Sequence, residues 1–442
     1  MKRRAFLQTA PVLLTGLPLS ALPHRTPHPR SAAPRKVALI GCGWYGKSDL
    51  LRLLQVADVE VVGLCDVDEH MLEGAAALLK ERQPGARPRR YADYRQLLEK
   101  EKPEIVLVGT PDHWHALQAV AAIEAGAHVY LQKPVGVDIR ECEAVLDAAR
   151  RHERVVQVGL QRRSTPHLVQ AKRDIVDAGK LGTVAHVEIC CYYSMRDRAV
   201  RQEEPVPAFF DYDRWTGPAP LLPYKGLPHR RWRAFWAYGN GIVGDMCVHM
   251  FDMTRWMLDL GWPLEVSSTG GIYVETAADA TITDTQHVVF EYDGLSCVWQ
   301  HRTWGKAPDP EFPWSMKIYG DRGTLEADPH KYDFTPTGGE TQRVEALYER
   351  EKFPEDVTEK DIELHAAPAT RAHMLDFLHA IDTGSRPVAD IEEGVISSAA
   401  CILGNLAMLD GGSLSYDPDA RTLTGGDSAL LARRYRPPYK RP

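Results

Sequence analysis

Two hydrophobic rhythms divide the chain. From residue 35, short apolar runs rich in β-branched residues recur: "KVALIG" (36–41), "VEVVGLCD" (59–66), "EIVLVGTP" (104–111), "HVYLQKP" (128–134) and "VVQVGLQ" (155–161). Between them, residues 68–81, 94–101, 114–125 and 138–152 carry helical spacing. Continuous apolar strands separated by amphipathic helices specify a parallel sheet covered on both faces. Residues 35–158 are therefore expected to form a doubly wound, Rossmann-type nucleotide-binding domain.

After residue 161 the runs lengthen and alternate. "TVAHVEICCYYS" (183–194), "PLEVSSTGGIYVE" (263–275), "DTQHVVFEYDGLSCVWQHRTW" (284–304), "SMKIYGDRGTLEAD" (315–328) and "GGSLSYDP" (411–418) read as strands, two of them folded at Tyr292-Asp293-Gly294 and Gly320-Asp321-Arg322-Gly323. These are antiparallel signals. Helical patterns at 165–178, 243–260, 373–382 and 394–409 accompany them. The expectation is a second, α+β domain over 159–425 with a large, mostly antiparallel open sheet, a form that commonly offers one face to a second copy. A homo-oligomer, dimer or tetramer, is expected. The basic, proline-containing tail 426–442 reads as coil.

Residues 1–34 stand apart. A cationic start (Lys2, Arg3, Arg4), an apolar stretch over about 10–22 broken by Pro11, Gly16 and Pro18, and a polar linker resemble a twin-arginine export signal, so the expected location is periplasmic or secreted. The apolar stretch is too short to span a bilayer. A formal net charge of -7 over 442 residues, not gathered into blocks, points to neither nucleic acid nor a membrane surface, and leaves a small molecule as the expected partner. The eight cysteines show no CxxC or Cys/His zinc spacing and read as buried thiols; no metal is expected.

Chemistry concentrates in three places. "IGCGWYG" directly follows the first strand and gives Gly41, Gly43 and Gly46 the GxGxxG spacing, with Trp44 and Tyr45 between them. Asp66 ends the second strand 25 residues after Gly41, where a carboxylate can accept both ribose hydroxyls of an adenosine and repel a 2'-phosphate. With Val67 and Asp68 following and no arginine beside it, NAD is favoured over NADP. Lys133, ending an apolar run against Pro134, needs a carboxylate or a reaction to serve, because a buried ammonium is costly. In "GDMCVHMFD", Asp245, His249 and Asp252 fall on one face if the segment is helical.

These motifs, with "TPDHWHA" (110–116), "QKP" (132–134) and "QVGLQRR" (157–163), occur in the order of the glucose-fructose oxidoreductase / inositol dehydrogenase / MocA family, which the chain resembles over residues 35–417 and most strongly in the exported branch with "QKP". The resemblance implies that Lys133, Asp245 and His249 are catalytic: His249 as general base towards a secondary hydroxyl, Asp245 orienting its imidazole, and Lys133 stabilising the oxyanion. It implies cofactor contacts from Gly41, Gly43, Trp44, Tyr45, Gly46, Asp66, Thr110, Pro111, His115, Gln132 and Lys133. Gln132 stands where the family usually has glutamate, removing a charge near Lys133. Asp112 reads as a helix cap. Arg162, Lys225, Trp232 and Asp252 are candidate substrate contacts, and the aromatic segment 214–241 is either a carbohydrate wall or aromatic packing.

The function implied is hydride transfer between NAD, tightly retained, and a secondary alcohol of a sugar, glycoside or cyclitol, with C3 of a glycoside one possible position. A redox-neutral glycosidase working by transient oxidation and elimination, and a non-catalytic sugar-binding protein, are the alternatives.

Overall fold

The first rhythm folds as a six-stranded, all-parallel sheet. In the computed structural model, which describes residues 34–193, 196–226, 231–358 and 364–442, its strands are β1 (Arg35–Ile40), β2 (Val59–Cys65), β3 (Arg89–Tyr91), β4 (Ile105–Val108), β5 (His128–Leu131) and β6 (Val156–Val158). The expected leader, apart from Pro34, lies outside the described residues. Helices α1 (Trp44–Val56), α2 (Glu69–Arg82), α3 (Tyr94–Glu101), α4 (Asp112–Glu124) and α5 (Ile139–Arg151) join the strands. Asp68, Asp93 and Asp138 start α2, α3 and α5 by accepting hydrogen bonds from first-turn N–H groups. The strand order β3-β2-β1-β4-β5-β6 reverses between β1 and β4, and a ligand crevice opens there at the strands' carboxyl ends. Strand β3 gave no sequence signal because only Tyr91 of its three residues is buried.

The second rhythm continues with α6 (Pro166–Ala171), β7 (Val184–Cys191), α7 (Tyr212–Thr216), α8 (Val248–Met257), β8 (Glu265–Gly271), β9 (Thr285–Tyr292), β10 (Leu295–Arg302), β11 (Trp314–Gly320), β12 (Gly323–Ala327), β13 (Lys331–Pro336) and β14 (Gln342–Glu345). Strands β7 to β14 form one eight-stranded sheet, antiparallel except where β7 and β10 run parallel. Both expected hairpin turns are present, as β9–β10 and β11–β12. The sheet extends past them through β13 and β14, which the hydrophobic pattern did not mark: β14 buries no residue and β13 only Tyr332 and Phe334. Helices α9 (Glu355–Thr358), α10 (Ala367–Thr383) and α11 (Ile391–Asp410) follow, then a hairpin of β15 (Ser415–Asp417) and β16 (Thr422–Thr424). The expected tail strand thus pairs locally, and the Leu414–Val266 bridge just before it joins this hairpin to the large sheet.

Arg35–Pro442 forms one compact unit, within which the segments on either side of the expected 158/159 boundary pack together. A doubly wound sheet needs helices on both faces, and the late helices supply part of that cover. Met374 and Phe377 of α10 sit in the core with Leu50 and Leu53 of α1 and Tyr130 of β5. Beside them Asp356 receives Arg52 of α1 at 2.8 Å and Arg371 of α10 at 2.7 Å. Helix α11 is long and apolar enough to cross a membrane by length and composition, yet 78% of that stretch is buried, against β8, α5 and α8.

The tail, expected as coil, contains one 3-10 turn at Ser428–Leu431 and is closely held. Arg441 donates to both carboxylate oxygens of Asp138 at 2.6 and 2.9 Å, and Arg436 reaches Asp213 at 2.6 Å. All eight cysteines are free thiols. Asp252 is fully buried, in a two-pronged ion pair with Arg163 at 2.8 and 2.9 Å and a hydrogen bond from Ser397. Breaking such a pair strands a buried charge. Asp252→Ala is expected to lower unfolding free energy by about 3–5 kcal/mol in chemical denaturation while NAD affinity of the folded protein is unchanged. Arg441→Ala, which removes charge-assisted hydrogen bonds from the α5 cap, is expected to cost about 1.5–3 kcal/mol in the same assay.

Candidate functional site

The glycine turn has the three properties its spacing demands. Gly41 lies at φ +90° with its peptide pressed on the β4 turn: a Cβ would come within 2.5 Å of the Thr110 nitrogen. A Cβ on Gly46 would fall 1.9 Å from the Gly41 oxygen, so α1 could not sit as close to β1. Gly43 faces open space, with nothing within 4 Å of its missing Cβ, and α1 begins at the next residue. Open approach at a helix N-terminus is where a pyrophosphate binds. Asp66 lies at the same crevice; its carboxylate accepts from the Cys42 and Asp68 N–H groups at 2.7 and 3.0 Å, which fixes it beyond β2. These residues fit a dinucleotide.

The crevice is a cavity of about 510 Å³ reaching from Asp66 to the second sheet. Every expected cofactor residue except Gly46, which packs beneath the turn, lines it. His115 is buried with its ring nitrogens 2.6 and 2.9 Å from the Pro134 and Thr110 carbonyl oxygens, pinning α4 to the Lys133 turn. Burial, the first cause, lowers its imidazole to about 4. The sequence showed no arginine beside Asp66, but the fold brings Arg95 and Arg214 to that end of the cavity, each ion-paired, to Asp93 and Asp211.

At the opposite end Lys133, 9% exposed, finds its partner. Its Nζ donates to the Asp245 carboxylate at 2.5 Å and to the Asp245 carbonyl at 2.9 Å. Arg233 lies 3.3 Å from the other Asp245 oxygen. Burial alone would raise the Asp245 carboxyl, but the charges of Lys133 and Arg233 overcome it and hold it well below the usual carboxylate range. One turn of π-helix, Val243–Cys247, carries Asp245 and runs into α8, which carries His249. Such turns often mark functional sites. His249 lines the same cavity, edge-on to Trp314 with ring centroids 5.6 Å apart.

The expected Asp245–His249 contact is not formed. The Asp245 carboxylate is engaged by Lys133 and Arg233, and the buried Nδ1 of His249 has no hydrogen-bond partner among the described residues. Burial, reinforced by the charges of Lys133 and Arg162, pushes the imidazole well below its ordinary pKa. Gln132 donates to buried Asp49 of α1 at 2.7 Å. Burial raises that carboxyl to about 8, so the pair is neutral at pH 7 and does not restore the charge that Gln132 omits.

Of the candidate substrate contacts, Arg162 and Trp232 line the cavity, Arg162 with its guanidinium 5.4 Å from the Trp314 ring centre. Asp252 and Lys225 do not. Asp252 serves Arg163, and Lys225 pairs with Asp279 at 3.4 Å. In the aromatic segment Trp215 and Trp232 pack in a cluster with Phe210, Tyr212 and Tyr238, and both also line the cavity. His229 of that segment lies outside the described residues. Sequence reasoning missed Arg233, Trp314, His330 and the tail's Tyr439 as lining residues; none belongs to a spaced motif.

A family model described as "Oxidoreductase family, NAD-binding Rossmann fold" matches residues 35–160, and one described as "GFO/IDH/MocA C-terminal domain" matches 169–326. An inositol 2-dehydrogenase of Salmonella paratyphi B is 34% identical over 149 residues, which span 33% of this chain and 43% of that protein. A glycosyl hydrolase family 109 protein of Shewanella putrefaciens is 28% identical over 175 residues, 34% of this chain and 38% of that protein. The chain thus matches less than half the length of either. The crystal structure of aldose-aldose oxidoreductase from Caulobacter crescentus shares the fold: TM-score 0.65 at 17% identity, covering 87% of this chain and all of that one. Two sheets in this order, a glycine turn shaped for a dinucleotide and consecutive family matches place the chain in the Gfo/Idh/MocA family of NAD-binding oxidoreductases.

Proposed function

We propose that this enzyme transfers hydride between NAD and a secondary alcohol of a sugar, glycoside or cyclitol. The observation that carries the reading is one cavity lined by Gly43, Asp66, Lys133, Asp245 and His249 together. Its size is that of a small-molecule site, and aromatic walls from Trp232 and Trp314 offer flat faces to sugar C–H surfaces. NAD, when bound, supplies the hydride acceptor.

Residues of the chain divide the remaining work. The turn at Gly41–Gly46 and Asp66 hold the dinucleotide. Lys133, aimed by Asp245, donates a hydrogen bond to the oxygen that gains negative charge as the hydroxyl gives up its proton. His249, kept neutral by burial and by Lys133 and Arg162, accepts the hydrogen bond of the reacting hydroxyl and draws on its proton. Cofactor retention fits the way the tail and segment 209–217 border the crevice: the Asp211 and Glu69 N–H groups bond to the Val67 and Phe209 carbonyls, and Tyr439 joins the lining. Export, assigned to residues 1–34, and homo-oligomerisation through the large sheet belong to the same proposal.

The match to a glycosyl hydrolase family 109 protein favours a second reading on the same residues, transient oxidation followed by elimination of an aglycone. Product analysis separates the two. With a glycoside as substrate, accumulation of a ketone and a change in cofactor absorbance mark net oxidation, whereas free aglycone with no net cofactor change marks elimination.

Lys133→Ala and His249→Ala are each expected to reduce turnover at least about 100-fold, with the melting temperature unchanged in His249→Ala and lowered in Lys133→Ala, which takes the nearest cation from the buried Asp245 carboxylate. Wild-type-like rates in either variant remove that residue from the chemistry. Asp66→Ala is expected to raise the Kd for NAD about 10- to 100-fold in fluorescence titration, and to narrow the preference for NAD over NADP.

A further inference from the structure

We propose that Asp112 is a further catalytic residue of this site, the carboxylate that finally takes the proton released from the substrate hydroxyl and returns it in the reverse direction. The inference rests on the oxidoreductase reading above. The sequence suggests Asp112 as a helix cap, but Pro111 occupies the cap position and Asp112 is the first residue of α4. The side chain is 5% exposed and lines the cavity, and among the described residues no hydrogen bond or ion pair to its carboxylate is formed. An unpartnered buried carboxylate is costly to keep and is held here by the fold around it. The His115 contact to the Pro134 carbonyl locks the first turn of α4 to the Lys133–Pro134 turn, and Gly239 closes the other side, where a Cβ would stand 3.2 Å from Asp112 Oδ2.

Proton balance gives this carboxylate its task. In oxidation the carbinol C–H departs as hydride with its electron pair, the C=O bond forms, and the O–H bond breaks, leaving one proton to be held. Neither group already assigned to the site can hold it at neutral pH. Asp245 is kept ionised by Lys133 and Arg233, and His249 is pushed well below its ordinary pKa. Asp112 faces Lys133 beyond β5, Arg233 from the aromatic segment, Asp245 on the π turn and Arg433 from the tail, with buried His113 and His115 on its own helix. Burial, against the pull of Lys133 and Arg233, raises its carboxyl to about 7, close to the value a proton store needs at neutral pH. The acceptor must be ionised, so oxidation slows as pH falls through about 7.

The test compares wild type, Asp112→Asn and Asp112→Glu, each loaded with NAD, with myo-inositol, D-glucose and methyl α-D-glucoside as probes. Bound-cofactor absorbance gives the rate from pH 5 to 9, and fluorescence titration gives NAD affinity. Asp112→Asn is expected to lose at least about 100-fold in oxidation rate together with the acid limb near pH 7, to keep NAD affinity within about threefold, and to be partly rescued by Asp112→Glu. A rate and limb like wild type in Asp112→Asn overturn the proposal, as does a loss of NAD affinity that accounts for the whole defect. If wild type itself reduces no cofactor with these probes while binding NAD, the oxidoreductase reading fails and this one with it. A normal wild type beside an unaffected Asp112→Asn overturns only the role of Asp112.

Discussion

The contact between Lys133 and Asp245 is the constraint around which the rest is arranged. It joins the carboxyl end of a Rossmann strand to a helical turn of the second half, across 112 residues of chain, at 2.5 Å. Either charge alone at that depth would be strongly unfavourable, so each half of the molecule supplies what the other needs to bury it. With the ammonium held by one carboxylate oxygen and by the Asp245 carbonyl, Arg233 takes the second oxygen. The result is a rigid positive region next to a neutral imidazole at the end of a dinucleotide cleft.

That arrangement requires the two sheets to keep their mutual position, and the chain secures it repeatedly. Helix α10 completes the core under α1, and the Arg52–Asp356–Arg371 network ties the same helices by charge. Arg163 gathers Asp252 of α8 and Glu393 of α11, immediately beyond the β6 edge of the sheet. Arg441 brings the last residues back to the cap of α5. Each is a buried or half-buried pair with several hydrogen bonds, the type that specifies geometry more than it adds stability.

Within the site, burial separates the acids. Asp245 and Asp112 share a cavity and the field of the same cations, yet one carboxyl is held well below the usual carboxylate range and the other is raised to about 7. The difference lies in partners, because Asp245 has Lys133 in contact and Arg233 beside it, whereas Asp112 has charges only at longer range. Divergent environments for neighbouring carboxylates are how one pocket obtains both an anchor and a proton carrier.

The sequence by itself determined most strands of both sheets, the glycine turn and Asp66 at the end of β2, because strand and helix periodicities and short motifs are local properties of the chain, and the family resemblance of those motifs pointed to Lys133 and His249. It did not reveal β3 or β14, whose few buried side chains leave almost no hydrophobic pattern. Only the tertiary structure decided which carboxylate met which cation: Asp245 went to Lys133 rather than His249, Asp252 to Arg163 rather than substrate, and Asp112 to the cavity rather than a cap. Spacing along one helix gives a shared face but not a partner across the core. Partner choice is set by which buried charge lies nearest once the sheets have packed, and that is a long-range property no local stretch contains.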